Sequence, residues 1–227
     1  LAVPRGYRFL IVVPERCSIE RRRLFHYIGA ELVLTESLRG MRGAIAKARE
    51  LSQTMPDSYL LAPFADPANP LAHKLSTGLE VWNDTDGRID VFVAGVGSGG
   101  TITGVGGYLK LLNPKIHVVA VEPAGSPVLS TGRVGAAKIK GIGASFVPKV
   151  LDTGVYDEII SVTDQDAYET TRELARIEGL LVGPSSGAAL WACRQLAGRK
   201  EFHGKRITTV FSDSAERYIE TDLFDEW

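Results

Sequence analysis

The chain has 227 residues, 44% of them hydrophobic and 23% charged, with a formal net charge of −1. That is enough chain for a sizeable core in one or two domains, and the charge balance excludes a nucleic-acid protein driven by phosphate neutralisation. No apolar run approaches the roughly 18 residues of a membrane span, no basic-then-apolar leader opens the chain, and Cys17 and Cys193 make no disulfide framework, so reduced thiols and a cytoplasmic location are expected.

In chain order, residues 7–13 read as a strand ended by Pro14, and Ser18 reads as the N-cap of a helix running to about Ala30. Residues 31–35 read as a strand, Met41, Ala44, Ile45, Ala48 and Leu51 recur at helical spacing, and residues 59–62 read as a third strand. The βαβαβ alternation implies a parallel sheet. The run PFADPANP then places three prolines in eight residues, 63–70. It is expected to be irregular and to separate a small domain, 1–63, from a larger one, 64–227.

Beyond it come a buried-type strand at 89–94, a helix from about Thr101 and a strand at 118–121. A glycine-rich loop at 123–148 and a strand at 158–162 follow. Thr163 and Asp166 have the spacing of a capping box, and Gly179 reads as the end of the helix they begin. A last helix runs from about Ser186 to Gly198, and a last strand spans 206–211. The fold class is α/β, with two lobes, each a mostly parallel sheet flanked by helices. The four histidines, His26, His73, His117 and His203, lack metal-ligand spacing and are expected on the surface or on helix faces.

The motif with the most chemistry is Gly95-Val96-Gly97-Ser98-Gly99-Gly100-Thr101, between a strand and a helix. Glycines there let successive N–H groups converge on an anion, the helix N-terminus adds positive partial charge, and Ser98 and Thr101 can donate hydroxyl hydrogen bonds. The same residues fit the dinucleotide pattern G-x-G-x-x-G, with Glu122 ending the next strand as a ribose-binding acid. The motif alone leaves both phosphate readings open. Gly183-Pro184-Ser185-Ser186-Gly187 formally matches the hydrolase pattern G-x-S-x-G, but the acid and histidine that follow, Asp213 and His203, stand in the wrong order. One of the two serines is expected to cap the following helix, leaving the other for a ligand.

Eight segments then line up: PERCSIERR (14–22), PANP (67–70), DTDG (84–87), GVGSGGT (95–101), VEP (121–123), GIG (141–143), SSGA (185–188) and ERY (216–218). Taken in order, they resemble the cysteine synthases, or O-acetylserine sulfhydrylases, fold-type II enzymes of the tryptophan-synthase-β-like group that use pyridoxal 5'-phosphate. The resemblance implies β-replacement forming L-cysteine from O-acetylserine and sulfide. It implies that Gly97, Ser98, Gly99, Gly100 and Thr101 bind the cofactor phosphate. Ser185 would accept or share the hydrogen bond of the pyridine nitrogen, a neutral group that leaves the ring unprotonated. Met41, Gly141, Ile142 and Gly143 would line the substrate pocket.

The family's Schiff-base lysine and substrate loop fall N-terminal to this chain, so no catalytic residue is assigned and the chain by itself is expected to be inactive. Pro63 stands where the family has a glutamine, Pro184 where it has an aliphatic residue, and Ser212-Asp213-Ser214-Ala215 where it has P-S-S-G. A small amino-acid substrate, a homodimer and association with serine acetyltransferase are implied, with no nucleic-acid or membrane partner. The alternatives are a catalytically inactive paralogue with a binding or regulatory role, and an NAD(P)-binding enzyme using the same glycine loop.

Overall fold

The computed structural model describes residues 2–225. The chain forms two compact units, Leu1–Leu61 and Ala62–Trp227. In the first, strand β1 (Leu10–Pro14) pairs in parallel with β2 (Glu31–Thr35), in register from Leu10↔Glu31 to Pro14↔Thr35. Pro14 closes β1 rather than following it. β1 is an edge strand, where a missing N–H is tolerated. The crossover helix α1 (Ile19–Tyr27) starts where expected, with Ser18 Oγ accepting from the Arg21 amide. Helix α2 (Gly40–Thr54) follows β2.

Residues 59–62 form no strand, and Tyr59 and Leu61 are exposed. A short apolar run reads alike whether or not an edge is available to it, so the first unit is βαβα rather than βαβαβ.

In the second unit the proline-rich run is not wholly irregular, because helix α3 (Ala68–Leu75) begins inside it. Pro67 precedes its first residue and Pro70 sits in its first turn, where the absent N–H has no intrahelical partner to lose. Asp66 Oδ1 accepts from the Ala68 amide at 2.9 Å. Helix α4 (Thr77–Asp84), which the sequence pattern did not reveal, follows directly.

Four parallel strands then build the main sheet in the order β5-β4-β3-β6: β3 (Val91–Gly95), β4 (His117–Pro123), β5 (Glu158–Val162) and β6 (Ile207–Thr209). Both faces of the sheet are buried, as all-parallel sheets require. Alternate residues of β3 and β4 feed two cores. Val91, Val93, Val119 and Val121 join residues of helices α7 (Asp164–Glu178) and α8 (Pro184–Ala197). Phe92, Ala94, Val118 and Ala120 pack with Ile102, Val105 and Leu109 on the opposite face.

The helix expected from Thr101 passes through a π-helical turn, Ile102–Gly106, before becoming α5 (Gly107–Leu112). The 123–148 stretch, expected to be loop throughout, contains the single turn α6 (Val128–Thr131). Helix α7 is capped as its sequence dictates: Thr163 Oγ1 accepts from the Asp166 amide and donates to Asp166 Oδ2, and Gly179 closes the helix at φ 69°. Helix α8 starts at Pro184, ahead of the expected Ser186, because proline's fixed φ suits a first helical position. β6 is shorter than expected because it pairs only with β3, over three residues. Among the described residues no helix is long and apolar enough to cross a membrane.

Candidate functional site

In the order β5-β4-β3-β6 the chain runs outward from β3 through β4 to β5 and then crosses back to the far side of β3, and ligands of open α/β sheets bind at the carboxyl ends of strands where the direction switches in this way. An open cleft of about 200 Å³ lies there. Gly95, Gly97, Ser98, Gly99 and Thr101 line it from the end of β3, and Val210, Ser212 and Asp213 from the end of β6. Gly141 and Ile142, with Ser185 and Ala189 of α8, complete it.

The glycine turn is held in shape by close packing at two positions. Gly99 has φ +85°, and a Cβ added there would lie 2.8 Å from Leu151 Cβ. A Cβ on Gly97 would lie 2.2 Å from the Gly141 carbonyl oxygen. The 141–143 loop runs directly against the turn, pinned by the Gly143 amide donating to Val96 O at 3.0 Å. This is the backbone arrangement that lets amides, rather than side chains, face an anion.

The two hydroxyls of the turn are oriented by α3. Asn69 Nδ2 donates to Ser98 Oγ at 3.0 Å, and the Gly100 amide donates to the same oxygen at 3.3 Å. With its lone pairs so used, the Ser98 O–H is left to donate outward. Asn69 is itself fixed by a second donation, to Pro63 O at 2.6 Å. His73 joins Thr101 Oγ1 through Nε2 (3.2 Å) and Thr77 Oγ1 through Nδ1 (3.0 Å). The tautomer protonated at Nε2 leaves the Thr101 hydroxyl free to donate to a ligand. Burial pushes the His73 pKa below its ordinary value near 6.5, which keeps the ring neutral at physiological pH.

His73 is therefore not the plain helix-face residue expected of it; it stands behind the phosphate turn. Neither Asn69 nor His73 had been singled out as a site residue. Their spacing of four on one helix face is the only local sign of their shared direction.

Of the residues the sequence pointed to, Gly97, Ser98, Gly99, Thr101, Gly141, Ile142 and Ser185 come together in this one cleft. Gly100 lies behind it against Asn69, and Gly143 lines a neighbouring void of about 10 Å³ with Val96 and Glu122. Met41 is on α2 of the first unit and is half-exposed, whereas every residue lining the cleft belongs to the second unit.

Neither serine caps α8, whose N-cap is Gly183, without a side-chain bond. Ser186 Oγ instead accepts from the Ser212 amide at 3.1 Å and so anchors the segment after β6. Ser185 faces the cleft.

Glu122 answers the dinucleotide alternative. It is 2% exposed, and its carboxylate accepts from the amides of Leu129 and Ser130 and from the hydroxyls of Ser130 and Ser161. It holds α6 and is buried away from any ribose. Among the described residues no cluster of His, Cys, Asp and Glu could hold a metal ion. Burial pushes the Cys193 thiol up to about 12, which makes it unreactive.

The cleft fits a flat ligand carrying a phosphate at one end and a hydrogen-bonding ring atom at the other. It offers an amide cradle with two outward hydroxyl donors, small and apolar walls from Ile142, Ala189 and Val210, and a hydroxyl at Ser185. Pyridoxal 5'-phosphate has these features.

The family model described as pyridoxal-phosphate dependent enzyme matches residues 1–213. The chain is similar to cysteine synthase B of Campylobacter jejuni, 48% identical over 219 residues that cover 96% of the chain and 72% of that protein. It is similar to cysteine synthase A of Escherichia coli, 46% identical over 233 residues, covering 99% and 72%. Among solved structures, O-acetyl serine sulfhydrylase isoform 3 of Entamoeba histolytica superposes with a TM-score of 0.92 at 42% identity, over all of this chain and 68% of that one. The O-acetylserine dependent cystathionine β-synthase of Helicobacter pylori superposes with a TM-score of 0.91 at 38% identity, covering 98% and 72%.

Proposed function

Since the chain belongs to the pyridoxal-phosphate-dependent enzymes, and within them to the cysteine synthases, we propose that its cleft seats pyridoxal 5'-phosphate for a β-replacement that forms L-cysteine from O-acetylserine and sulfide. The observation that carries the reading is the phosphate end of the cleft. The amide turn 97–101 has both of its hydroxyls set from behind by Asn69 and His73.

When bound, the cofactor supplies an electron sink that lets acetate leave the substrate's β-carbon and sulfide take its place. The chain's own residues do the rest. The amides of the turn, with the positive end of the helix that follows, neutralise the phosphate without a lysine or arginine. Ser98 and Thr101 donate to its oxygens. Ser185 meets the ring nitrogen at the other end. Gly141 and Ile142 would form the mouth. No lysine is among the residues lining the cleft, so these groups account for non-covalent seating.

The NAD(P) alternative has lost its acidic partner to α6. A homodimer, association with serine acetyltransferase and a cytoplasmic location belong to the same proposal, supported by likeness to the cysteine synthases.

Titration of the protein with pyridoxal 5'-phosphate, followed by visible absorbance, tests the seat. Cysteine formation from O-acetylserine and sulfide tests the reaction. Saturable uptake that a molar equivalent of NAD does not disturb supports the reading; no uptake refutes it.

A further inference from the structure

The two hydroxyls of the phosphate turn are aimed from behind by different devices. Asn69 meets Ser98 through an amide nitrogen, which can only donate. His73 meets Thr101 through a ring nitrogen, which donates in one neutral tautomer and accepts in the other. Burial keeps the ring neutral, so it has a single N–H to place. A third group must settle where that hydrogen goes.

That group is Thr77. Its Oγ1 lies 3.0 Å from His73 Nδ1, and His73 is the only hydrogen-bond partner of this hydroxyl among the described residues. With the proton on Nδ1, the Thr77 hydrogen has no protein group to bond and the Thr101 hydroxyl is spent on Nε2. With Thr77 donating to Nδ1, the proton sits on Nε2 and is donated to Thr101 Oγ1. The Thr101 hydrogen is then left for the cleft that Thr101 lines. Only this second arrangement uses every donor. It runs in one direction, from Thr77 through His73 and Thr101 to an anion, as mutually polarising hydrogen bonds do.

The frame around the relay is close-packed. His73 lies in the last turn of α3 and Thr77 opens α4, with the break at Ser76 (φ −119°, ψ −78°) between them. A Cβ on Gly104 would lie 2.3 Å from Pro70 O and 2.7 Å from His73 Cβ, so α3 sits directly on the π-helical turn that Thr101 precedes. Gly78, next to Thr77, is buried, and a Cβ there would come within 3.1 Å of the Tyr108 ring of α5. These contacts hold both threonines at hydrogen-bond distance from one imidazole.

We propose that Thr77 is a positioning residue for the cofactor: it fixes the His73 tautomer protonated at Nε2 and so turns the Thr101 hydroxyl outward as a donor to the phosphate. Thr77 does not line the cleft and acts through His73 and Thr101. The inference rests on the cleft being a pyridoxal 5'-phosphate site.

The test uses the full chain with ¹⁵N in its histidine rings, and His73→Gln to assign the His73 signals. At about pH 8, above the ordinary histidine value near 6.5, a ring nitrogen bearing hydrogen and one bearing none resonate far apart. In the unaltered protein Nδ1 is expected at the bare position and Nε2 at the protonated one, with and without pyridoxal 5'-phosphate. Thr77→Val, which keeps the shape and removes the donor, should give a mixture of tautomers in the free protein. Its affinity for pyridoxal 5'-phosphate should fall about threefold to tenfold, the worth of one neutral hydrogen bond. Affinity for pyridoxal, which lacks the phosphate, should stay unchanged. Thr77→Ser, which restores the donor, should restore both tautomer and affinity.

A proton on Nδ1 in the loaded, unaltered protein overturns the inference while leaving the cofactor site standing. So does a Thr77→Val protein with unchanged tautomer and affinity, or one that loses pyridoxal and pyridoxal 5'-phosphate equally. So does a Thr77→Ser protein as impaired as Thr77→Val. If the unaltered protein takes up no pyridoxal 5'-phosphate, the reading of the cleft falls and the inference with it. The unaltered protein's own spectrum decides the matter even if neither Thr77 variant folds.

Discussion

Replacing Gly99 with valine should separate the cofactor's phosphate from the rest of its binding. Gly99 sits at φ +85°, where an L-residue costs about 1–2 kcal/mol and a β-branched one more. The new Cβ would start 2.8 Å from Leu151 Cβ and 3.2 Å from its Cα. Leu151 is buried, so the strain of overpacking adds about 1–3 kcal/mol. The sum, about 2–5 kcal/mol, falls below the ~5–15 kcal/mol stability of a typical domain. The variant should therefore fold with the turn pushed off Leu151 and its amides no longer convergent.

Gly132→Val is the control. Gly132 has φ +71° but nothing within 4 Å of the added Cβ, so only the backbone cost applies. Urea unfolding should show Gly99→Val the less stable of the two. Titration should show at least a tenfold loss of affinity for pyridoxal 5'-phosphate in Gly99→Val alone, with affinity for pyridoxal, which lacks the phosphate, nearly unchanged. Equal binding of pyridoxal 5'-phosphate by Gly99→Val and the unaltered protein would refute the phosphate seat. Equal destabilisation by the two substitutions would refute the packing argument.

Phe92→Ala, at a fully buried position of β3, should destabilise by about 3–5 kcal/mol in chemical denaturation. Burial holds the His73 pKa below its ordinary value, so the unfolded chain takes up this proton first as pH falls. That contribution is complete above pH 6.5 and declines below it, so His73→Gln should flatten the loss of stability between about pH 7 and 5. The hydrogen bond from Arg199 keeps the Glu158 carboxyl below its ordinary range. The stability it confers is present above pH 4.5 and lost as pH falls through the depressed value. Glu158→Gln should cost about 0.5–1 kcal/mol at pH 7, for a partly exposed pair, and progressively less as pH falls below 4.5.

The parts of the fold legible in the sequence are those whose signal is local. The Thr163–Asp166 cap and the Gly179 stop of α7 are written within a few residues of the ends they define. The uninterrupted apolar runs of β3 and β4 need no partner to be recognised. Residues 59–62 carried the same apolar signal, but their pairing depends on an edge elsewhere, which a local pattern cannot register. The prolines of 63–70 were read as breakers because their effect depends on position within a turn, and Pro70 falls where it does no harm. In the cleft, the glycine turn announced itself by composition. The groups that aim its hydroxyls did not: Asn69 and His73 precede Ser98 and Thr101 by 29 and 28 positions, and only the packing of α3 joins them. Asp213 was visible as a departure from the family's pattern.

Assembly of the cleft is tied to the end of the chain. Gly95 and Gly97 leave the middle of the sheet, whereas Val210, Ser212 and Asp213 arrive with β6, whose Thr209 hydroxyl donates to Val93 O across 116 positions. Closing so long a loop is slow. A growing chain therefore holds the phosphate turn long before it has a wall opposite, and the last strand to dock is the one that makes a binding site of it. Ligand capture would then wait on the docking of β6, and its appearance would time that event.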